Sequence, residues 1–548
     1  MILTDLLERN ASKWPRDTAL IELNPEHNDT VDLKWQEYEL VETGHSTHFR
    51  KELTWQEFDE EANRFANLLL NKGVRKGTKV AVLLMNCIDW LPIYFGVLKT
   101  GAVVVPLNFR YTAEEIEYCI NLSDAEYLIF GREFLGRIGK IRDDIKGLKN
   151  IKSILYVGMD VPKYAESFNK LLPNFPPIKP SVDIRPSDDC AIYFSSGTTG
   201  FPKAILHTQK GIYEAAVTEQ AHHGQKRKDV FILIPPLYHT GAKMHWFGSL
   251  LSGSKAIILK GTDPEWVIRT ASEEKATIVW LLVPWAQDIL DALDAGDINL
   301  ADYDLSKWRL MHIGAQPVPP SLIKRWKEYF PKHDYDTNYG LSESTGPGCV
   351  HLGIENIHKV GAIGIAGNKW ETRIVNSRGK DVDQGKVGEL IVKGPGVMKE
   401  YYHDPQATKD SLKNGWLYTG DMAMQDEDGF IFLVDRKKDV IITGGENIYP
   451  VQIEDYYRNN NKIKDIAVIG LPDKRLGEIS VAIISLKKGQ KSNEKEMLKF
   501  ADDLPRYKRP RKIIFDDVPR NPTGKIEKPK LRKKYGASKV VSAETEQG

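Results

Sequence analysis

Cysteine is scarce in this 548-residue chain, and its scarcity already excludes several classes of protein. The four residues, Cys87, Cys119, Cys190 and Cys349, lie far apart, and no two share a metal-ligand spacing. A disulfide framework and a zinc ribbon are both excluded, which leaves reduced thiols in a cytosolic compartment as the expectation. Long apolar runs are missing too. The best, GVLKTGAVVVPLN (96–108), is interrupted by Lys99 and Pro106 and is too short to span a bilayer, so no integral membrane segment is expected. The opening MILTDLLERNASKWP carries early acidic residues and no long apolar core, unlike a secretory signal. Nor does charge of one sign accumulate. Seventy-six Lys and Arg against 75 Asp and Glu leave a net charge of +1, which argues against a surface built for nucleic acid or anionic lipid. No Walker loop, G-x-x-x-x-G-K-[ST], and no internal repeat is visible.

What remains is an ordinary apolar content of 41%, in a chain too long for a single core. From about residue 50, strand-like and amphipathic helical runs alternate. TWQEFDEEANRFANLLLNKG (54–73) has helical apolar spacing and closes on Gly73; KVAVLLMN (79–86) predicts a strand, DWLPIYFGVLKTG a helix and AVVVPLN a strand. This βαβ rhythm predicts largely parallel sheets covered by helices. Residues 23–49 are polar and irregular. From about 371 the pattern becomes short strands with turns, as in a small barrel, and a second break falls at 435–440. Beyond it, VQIEDYYRNN predicts a helix and IKDIAVIGLP a strand of a further domain. The expected division is 1–434, a short connection at 435–440, and 441–548.

The most unusual stretch is YFSSGTTGFPKA (193–204). Ser195, Ser196, Thr198 and Thr199 alternate with Gly197 and Gly200, and Lys203 follows. Bare glycine backbone lets successive N–H groups turn toward one anion, hydroxyls add donors without bulk, and a lysine adds a point charge. The pattern suits a phosphate cradle; a Ser/Thr-rich surface turn is the bland alternative.

This loop resembles the phosphate loop of the adenylate-forming superfamily: acyl-CoA synthetases, luciferases and peptide-synthetase adenylation domains. Ala204 stands where that family usually has glycine. Five further blocks follow in the family's order. HIGAQPVPP (312–320) is similar to the adenine-lining segment, with Gly314, Ala315 and Gln316 at the base. NYGLSES (338–344) resembles the Tyr-Gly-x-Thr-Glu block. There the resemblance puts Asn338, Tyr339 and Gly340 in the nucleotide site, Tyr339 stacking on adenine. It puts Ser342 at the α-phosphate and makes Glu343 the Mg²⁺ ligand. YTGD (418–421) and DRKKDVIITGGENIYP (435–450) imply Asp421 and Arg436 at the ribose and Lys438 as the hinge. They also imply Gly444, Gly445 and Glu446 beside the thiol of coenzyme A. PRNPTGKIEK (519–528) supplies Lys525 as the catalytic lysine. The likeness runs from about residue 5 to 535. It implies an αβ-layered N-terminal domain with a β-barrel-like subdomain, and a small mobile α+β C-terminal domain.

The chemistry accounts for these residue types independently. A carboxylate is a poor electrophile until it attacks the α-phosphate of ATP, and cations must then offset the meeting of anions. Lys203, Lys525 and a Mg²⁺ on Glu343 are suitable, since Mg²⁺ prefers hard oxygen ligands. The resemblance implies two half-reactions, adenylation and thioester formation, with the C-terminal domain rotating about Lys438 between them. Residues 506–534 hold twelve Lys or Arg and three Asp or Glu, a solvated face by default and a partner for CoA phosphates as the second reading.

IPPLYHTGAKMHW (234–246) matches the block bordering the carboxylate pocket. Amino-acid-activating relatives place an aspartate there; this chain has Tyr238 and His239, which disfavours an α-amino acid. His239 has two readings, a group that acts on the acyl carboxylate and a pocket-edge histidine. Acetate specialists close the pocket with tryptophan three residues before the metal glutamate. Gly340 in that place leaves room for a medium-chain, alicyclic or aromatic acid, and Trp246, Trp280, Trp285 and Lys243 are candidate lining. The expectation is an AMP-forming acyl-CoA synthetase, monomer or homodimer, using ATP, CoA and Mg²⁺, without nucleic-acid partners. The alternatives are a non-catalytic nucleotide-binding homologue and a luciferase-like enzyme with another acceptor.

Overall fold

The protein is described by a computed structural model covering residues 1–25, 49–144, 147–148, 150–158, 161–195, 202–314, 318–345, 348–444, 446–520 and 526–536. Two large sheets dominate. The first has seven strands, ordered Asp334–Asp336, Leu310–Gly314, Ile278–Leu282, Val230–Leu233, Lys255–Leu259, Thr18–Leu23 and Arg50–Thr54. All neighbours run parallel except the last pair. The second has eight: Glu400–Tyr401, Lys203–Thr208, Asp189–Ser195, Val103–Pro106, Lys79–Leu83, Tyr127–Gly131, Ser153–Val157 and Glu166–Ser167. Strands such as IVWLL (278–282) and YLIFG (127–131) are buried along their whole length, which only unbroken apolar runs permit.

The helices Trp55–Asn71 and Trp90–Lys99 form where periodicity predicts them. Thr54 caps the first, accepting from the Glu57 N–H while Glu57 answers the Thr54 N–H, and Gly73 beyond it is left-handed at φ +95°. The two helices approach closely because position 96 is glycine. A Cβ there would come within 2.7 Å of the Phe65 ring. Lys99, though buried, spans the same contact to Asp59 at 2.7 Å and Asn63 at 2.7 Å. Phe58 meets Phe95 edge-on and Trp246 face-on, joining a third helix, Thr240–Ser252, to this core.

Antiparallel structure takes over where the sequence turns to short strands. Glu371–Val375, Gly388–Lys393, Trp416–Gln425 and Ile431–Arg436 form one sheet with Leu412–Lys413. Burial alternates strictly over most of Trp416–Gln425, as for a strand with one face in the core. After it come Ile441–Thr443, Glu446–Ile448, Ile463–Asp473, Gly477–Leu486 and Lys512–Phe515 in a second sheet. One face of that sheet buries Ile466, Val468 and Ile484 under Ile453 and Tyr457 of the helix Pro450–Arg458. The other buries Ile469, Val481 and Ile483 with Leu531 of the helix Lys528–Gly536. The molecule is thus mixed α/β, with a large N-terminal and a small C-terminal domain. Among the described residues no helix is long and apolar enough to cross a membrane, and all four cysteines are free thiols.

Candidate functional site

The site is built around a two-residue strand, Asn338–Tyr339, paired antiparallel with Val350–His351. Successive strand residues face opposite ways, and here they reach two different polar systems. Tyr339 is buried, and its phenol donates to Asp421 Oδ2 at 2.5 Å. Asp421 sits directly opposite Arg436 in the ladder between Trp416–Gln425 and Ile431–Arg436, and the Arg436 Nε lies 2.5 Å from Asp421 Oδ1. Burial, and then the Asp421 carboxylate, push the Tyr339 phenol well above its usual range, so it stays a donor. Three sequence blocks therefore meet in one chain of polar contacts, a phenol hydrogen-bonded to a carboxylate that is ion-paired with a guanidinium. Gly314 ends the strand Leu310–Gly314 beside them; a Cβ on it would lie 3.6 Å from the Asn338 carboxamide oxygen.

A second meeting place brings together Lys203 and Glu343. Ser195 and Lys203 pair across the antiparallel strands Asp189–Ser195 and Lys203–Thr208, closing the base of the predicted loop. Ser196, Gly197, Thr198, Thr199 and Gly200 lie outside the described residues, as do Ala315, Gln316, Gly445 and Lys525. The Lys203 Nζ stands 4.9 Å above the Tyr401 ring, and the Tyr401 phenol donates to Glu343 Oε1 at 2.8 Å. Glu343 projects from a single tight turn, Ser342–Ser344, closed by left-handed Thr345 at φ +65°. The turn is pinned twice: the Glu343 carbonyl accepts from the Met398 N–H at 2.7 Å, and the Ser342 carbonyl from His207 Nε2 at 2.8 Å. Complete burial pushes His207 down to about 4, so at neutral pH the ring is an uncharged donor. Tyr401 and His207 carried no signal in the sequence. Neither falls in a block, and only strand pairing of Glu400–Tyr401 with Lys203–Thr208 brings the tyrosine in.

Around the expected acyl pocket, His239 caps the helix Thr240–Ser252: its Nδ1 accepts from the Gly241 N–H at 3.2 Å. That bond places the imidazole proton on Nε2. Tyr238 meets Phe109 edge-on. Lys243 is fully buried, and its ammonium donates back to the carbonyls of Leu237 at 3.1 Å and His239 at 3.2 Å. It also stands 4.3 Å over the Tyr193 ring. Burial drives its pKa well down. The head group thus tethers the 237–239 turn, where the sequence suggested a lining residue aimed at substrate. Trp246, also expected in the lining, is wholly buried in the core against Phe58 and Phe247. Trp280 instead abuts the start of this helix, since a Cβ on Gly241 would come within 3.1 Å of its ring.

At the junction with the C-terminal domain, Lys437 pairs with Glu389 at 2.9 Å and Asp439 with Arg532 at 2.7 Å. Lys438 stands exposed between these two anchors. Gly444 is left-handed at φ +57°, and its N–H donates to the Leu476 carbonyl at 2.8 Å. The turn itself therefore calls for glycine. Glu446 is exposed on the strand Glu446–Ile448.

Comparison with known proteins gives the family. The profile described as AMP-binding enzyme matches residues 7–402, and the AMP-binding enzyme C-terminal domain matches 452–525. The chain is 32% identical to the long-chain-fatty-acid–CoA ligase FadD13 of Mycobacterium tuberculosis over 495 residues, 89% of this chain and 94% of that protein. It is 31% identical to a feruloyl-CoA synthase of an Amycolatopsis species, over 88% of this chain and 94% of that protein. Among solved structures, an anthranilate CoA ligase in complex with anthranoyl-AMP superposes with a TM-score of 0.86, 26% identity, and 98% of each chain covered.

Proposed function

The chain belongs to the AMP-binding enzyme family and is an AMP-forming carboxylate–CoA ligase, and we propose that it activates a medium-chain, alicyclic or aromatic acid. ATP and CoA are its co-substrates. The observation that carries our reading of the site is the convergence of separate blocks into two contacts, Tyr339–Asp421–Arg436 and Lys203–Tyr401–Glu343.

In the reading we adopt, Tyr339 stacks on adenine, with Gly314, Ala315, Gln316, Asn338 and Gly340 around the base. Asp421 and Arg436 exchange a partner for the ribose hydroxyls. The Asp421 carboxylate is already held in place by the Tyr339 phenol and the Arg436 charge, so it is oriented before a sugar arrives. The loop 195–200, Lys203 and Ser342 hold the phosphates, and Lys525 bridges substrate carboxylate and α-phosphate. Glu343 fits Mg²⁺, because its carboxylate is the hard oxygen ligand this ion prefers and Tyr401 fixes its orientation. Bound there, the ion would offset phosphate charge during adenylation.

For the second half-reaction the C-terminal domain turns about Lys438, which stands between the anchors Lys437–Glu389 and Asp439–Arg532. Gly444, Gly445 and Glu446 then border the pantetheine arm. His239, with its proton on Nε2, presents a donor toward the acyl carboxylate, while Tyr238 and the helix start of Gly241 and Trp280 bound the pocket. The room left by Gly340 and the Trp280 wall support an acid longer than acetate, for which burial contributes about 0.8 kcal/mol per methylene.

The test combines pyrophosphate release with CoA consumption across linear, branched, alicyclic and aromatic acids. Release with at least one such acid is expected, and none with any acid would refute the reading. Lys525→Ala should abolish adenylate formation while sparing thioester formation from supplied acyl-AMP; equal loss of both would overturn its assignment.

A further inference from the structure

The face of Asn338–Tyr339 turned away from Asp421 leads into a second buried system that the ligase reaction does not use. The Asn338 amide stands 3.4 Å from Glu219 Oε1, and behind it four histidines and two carboxylates are packed together. Glu219, His223, His312, Asp336 and His351 are completely buried, and His245 nearly so. They come from separate elements: the end of the helix Gln209–His223, the helix Thr240–Ser252, and the strands Leu310–Gly314, Asp334–Asp336 and Val350–His351. No lysine or arginine pairs with either carboxylate among the described residues.

The atoms converge. His223 Nε2 lies 2.6 Å from Asp336 Oδ2 and 3.0 Å from His312 Nδ1. His351 Nδ1 faces the same Asp336 oxygen at 3.8 Å, beyond hydrogen-bond reach, and has no hydrogen-bond partner. The ligating atoms of His223, His312 and Asp336 all fall within 4.8 Å of one another. On the far side of its ring, His223 Nδ1 stands 2.8 Å from Glu219 Oε2. The two are in ion-pair contact without hydrogen-bond alignment, and a small turn of the ring would give the carboxylate-backed imidazole that orients metal-ligating histidines. His245 Nδ1 lies 2.7 Å from the other Glu219 oxygen, likewise without hydrogen-bond alignment. A half-buried histidine, His222, stacks on His351 at 4.0 Å and links the cluster to the surface.

We propose that His223 Nε2, His312 Nδ1, His351 Nδ1 and Asp336 Oδ2 form a binding site for one divalent transition metal of the zinc or cobalt class, with Glu219 orienting His223. Three imidazoles and one carboxylate match the preferences of these borderline ions and not those of Mg²⁺, which takes oxygen. Ligand bonds of about 2.0–2.2 Å at tetrahedral angles set ligand-to-ligand edges of about 3.3 Å. The metal-free contacts at 2.6 and 3.0 Å are shorter, so His223 would withdraw by about 0.7 Å from Asp336 and about 0.3 Å from His312 to reach these edges, while His351 would close in. A divalent ion balances the two carboxylate charges and leaves the imidazoles neutral. The bound ion ties together the strands that carry Gly314 and Asn338–Tyr339. Its work is to hold the wall of the nucleotide site, whichever acid the enzyme takes.

The experiment uses full-length protein free of any oligohistidine tag and stripped with a chelator. Co²⁺ titration should develop the visible absorption of a tetrahedral complex, saturate at one equivalent, and be reversed by Zn²⁺ but not by millimolar Mg²⁺. Glu343→Gln should leave this signal intact. His312→Gln should abolish it, and Glu219→Gln should weaken binding about 10- to 100-fold. Failure to bind near one equivalent at micromolar Co²⁺, or undiminished binding by folded His312→Gln, overturns the proposal; the latter would mark an adventitious surface site. Should His312→Gln not fold, X-ray absorption of the cobalt-loaded wild type decides. Three imidazoles in the coordination shell are expected, and one or none refutes the site.

Discussion

Two neighbouring residues of one short strand, Tyr339 and Asn338, look into two polar environments that differ in every respect but proximity. On the Tyr339 side three groups balance in sequence: a phenol, a carboxylate and a guanidinium, the last half-exposed toward the cleft. On the Asn338 side, carboxylates and imidazoles are sealed from solvent, and no lysine or arginine pairs with their carboxylates among the described residues. In our reading the first trades partners with the nucleotide. The second is closed to bulk water except past His222, and in our proposal its work is to fix the strands. Substitutions on the one side should therefore appear in kinetics, and on the other in stability.

The largest effect is expected from Asp336→Ala. It removes the acceptor of His223 and of the Gly353 N–H together. Breaking a buried ion pair from one side costs about 3–5 kcal/mol, so chemical denaturation should show that loss. A loss below about 1 kcal/mol would place the cluster among weak, solvated networks. Next comes Asp421→Ala, which strands a phenol and a guanidinium but unseats no strand pairing. Charged hydrogen bonds contribute about 1.5–3 kcal/mol each, so kcat/KM for ATP should fall roughly 10²-fold with a much smaller change in unfolding free energy. If stability fell as far as for Asp336→Ala, the contrast between the two faces would collapse.

A third test is acidification. His207 and His333 are both buried and held near 4 by burial. The unfolded chain regains the ordinary value of about 6.5 and so takes up protons first as pH falls. Their contribution is fully present above pH 6.5 and is lost progressively between 6.5 and 4. Unfolding free energy should decline by a few kcal/mol over that window, opposed in part by Asp435, which burial pushes up to about 6. His207→Gln should flatten the slope, and an unchanged slope would show that His207 does not carry it.

The same contrast explains what the sequence made legible. The βαβ rhythm, the helices at 55–71 and 90–99, and the change to short strands after 371 are local patterns, and they matched the observed elements. Asp421, Arg436 and Tyr339 stood in short contiguous blocks, and two of them face each other across neighbouring antiparallel strands. Glu219, His223, His245, His312, Asp336 and His351 come from five elements, and what joins them is sheet order, which no local pattern encodes. Lys243 and Trp246 show the converse. They share a helix with the pocket-bordering turn, yet one reaches back to backbone carbonyls and the other points into the core. Helical phase, not membership of a block, decides where a side chain goes.

The finest test separates the two sides at the strand itself. Tyr339→Phe keeps the ring and removes one oxygen. The phenol's bond to Asp421 is buried, but Asp421 retains Arg436, so the carboxylate is not abandoned. A bond to a charged acceptor contributes about 1.5–3 kcal/mol, and with Arg436 still paired to Asp421 the lower figure applies, roughly a tenfold change in KM for ATP. The acid's KM should stay constant, because the phenol reaches Asp421 and nothing toward Trp280 or His239. Equal increases for ATP and acid would mean that the ring had moved, and with it the wall between the two environments. An increase confined to ATP would show that a single hydroxyl tunes the nucleotide side while the strand stays where its other face holds it.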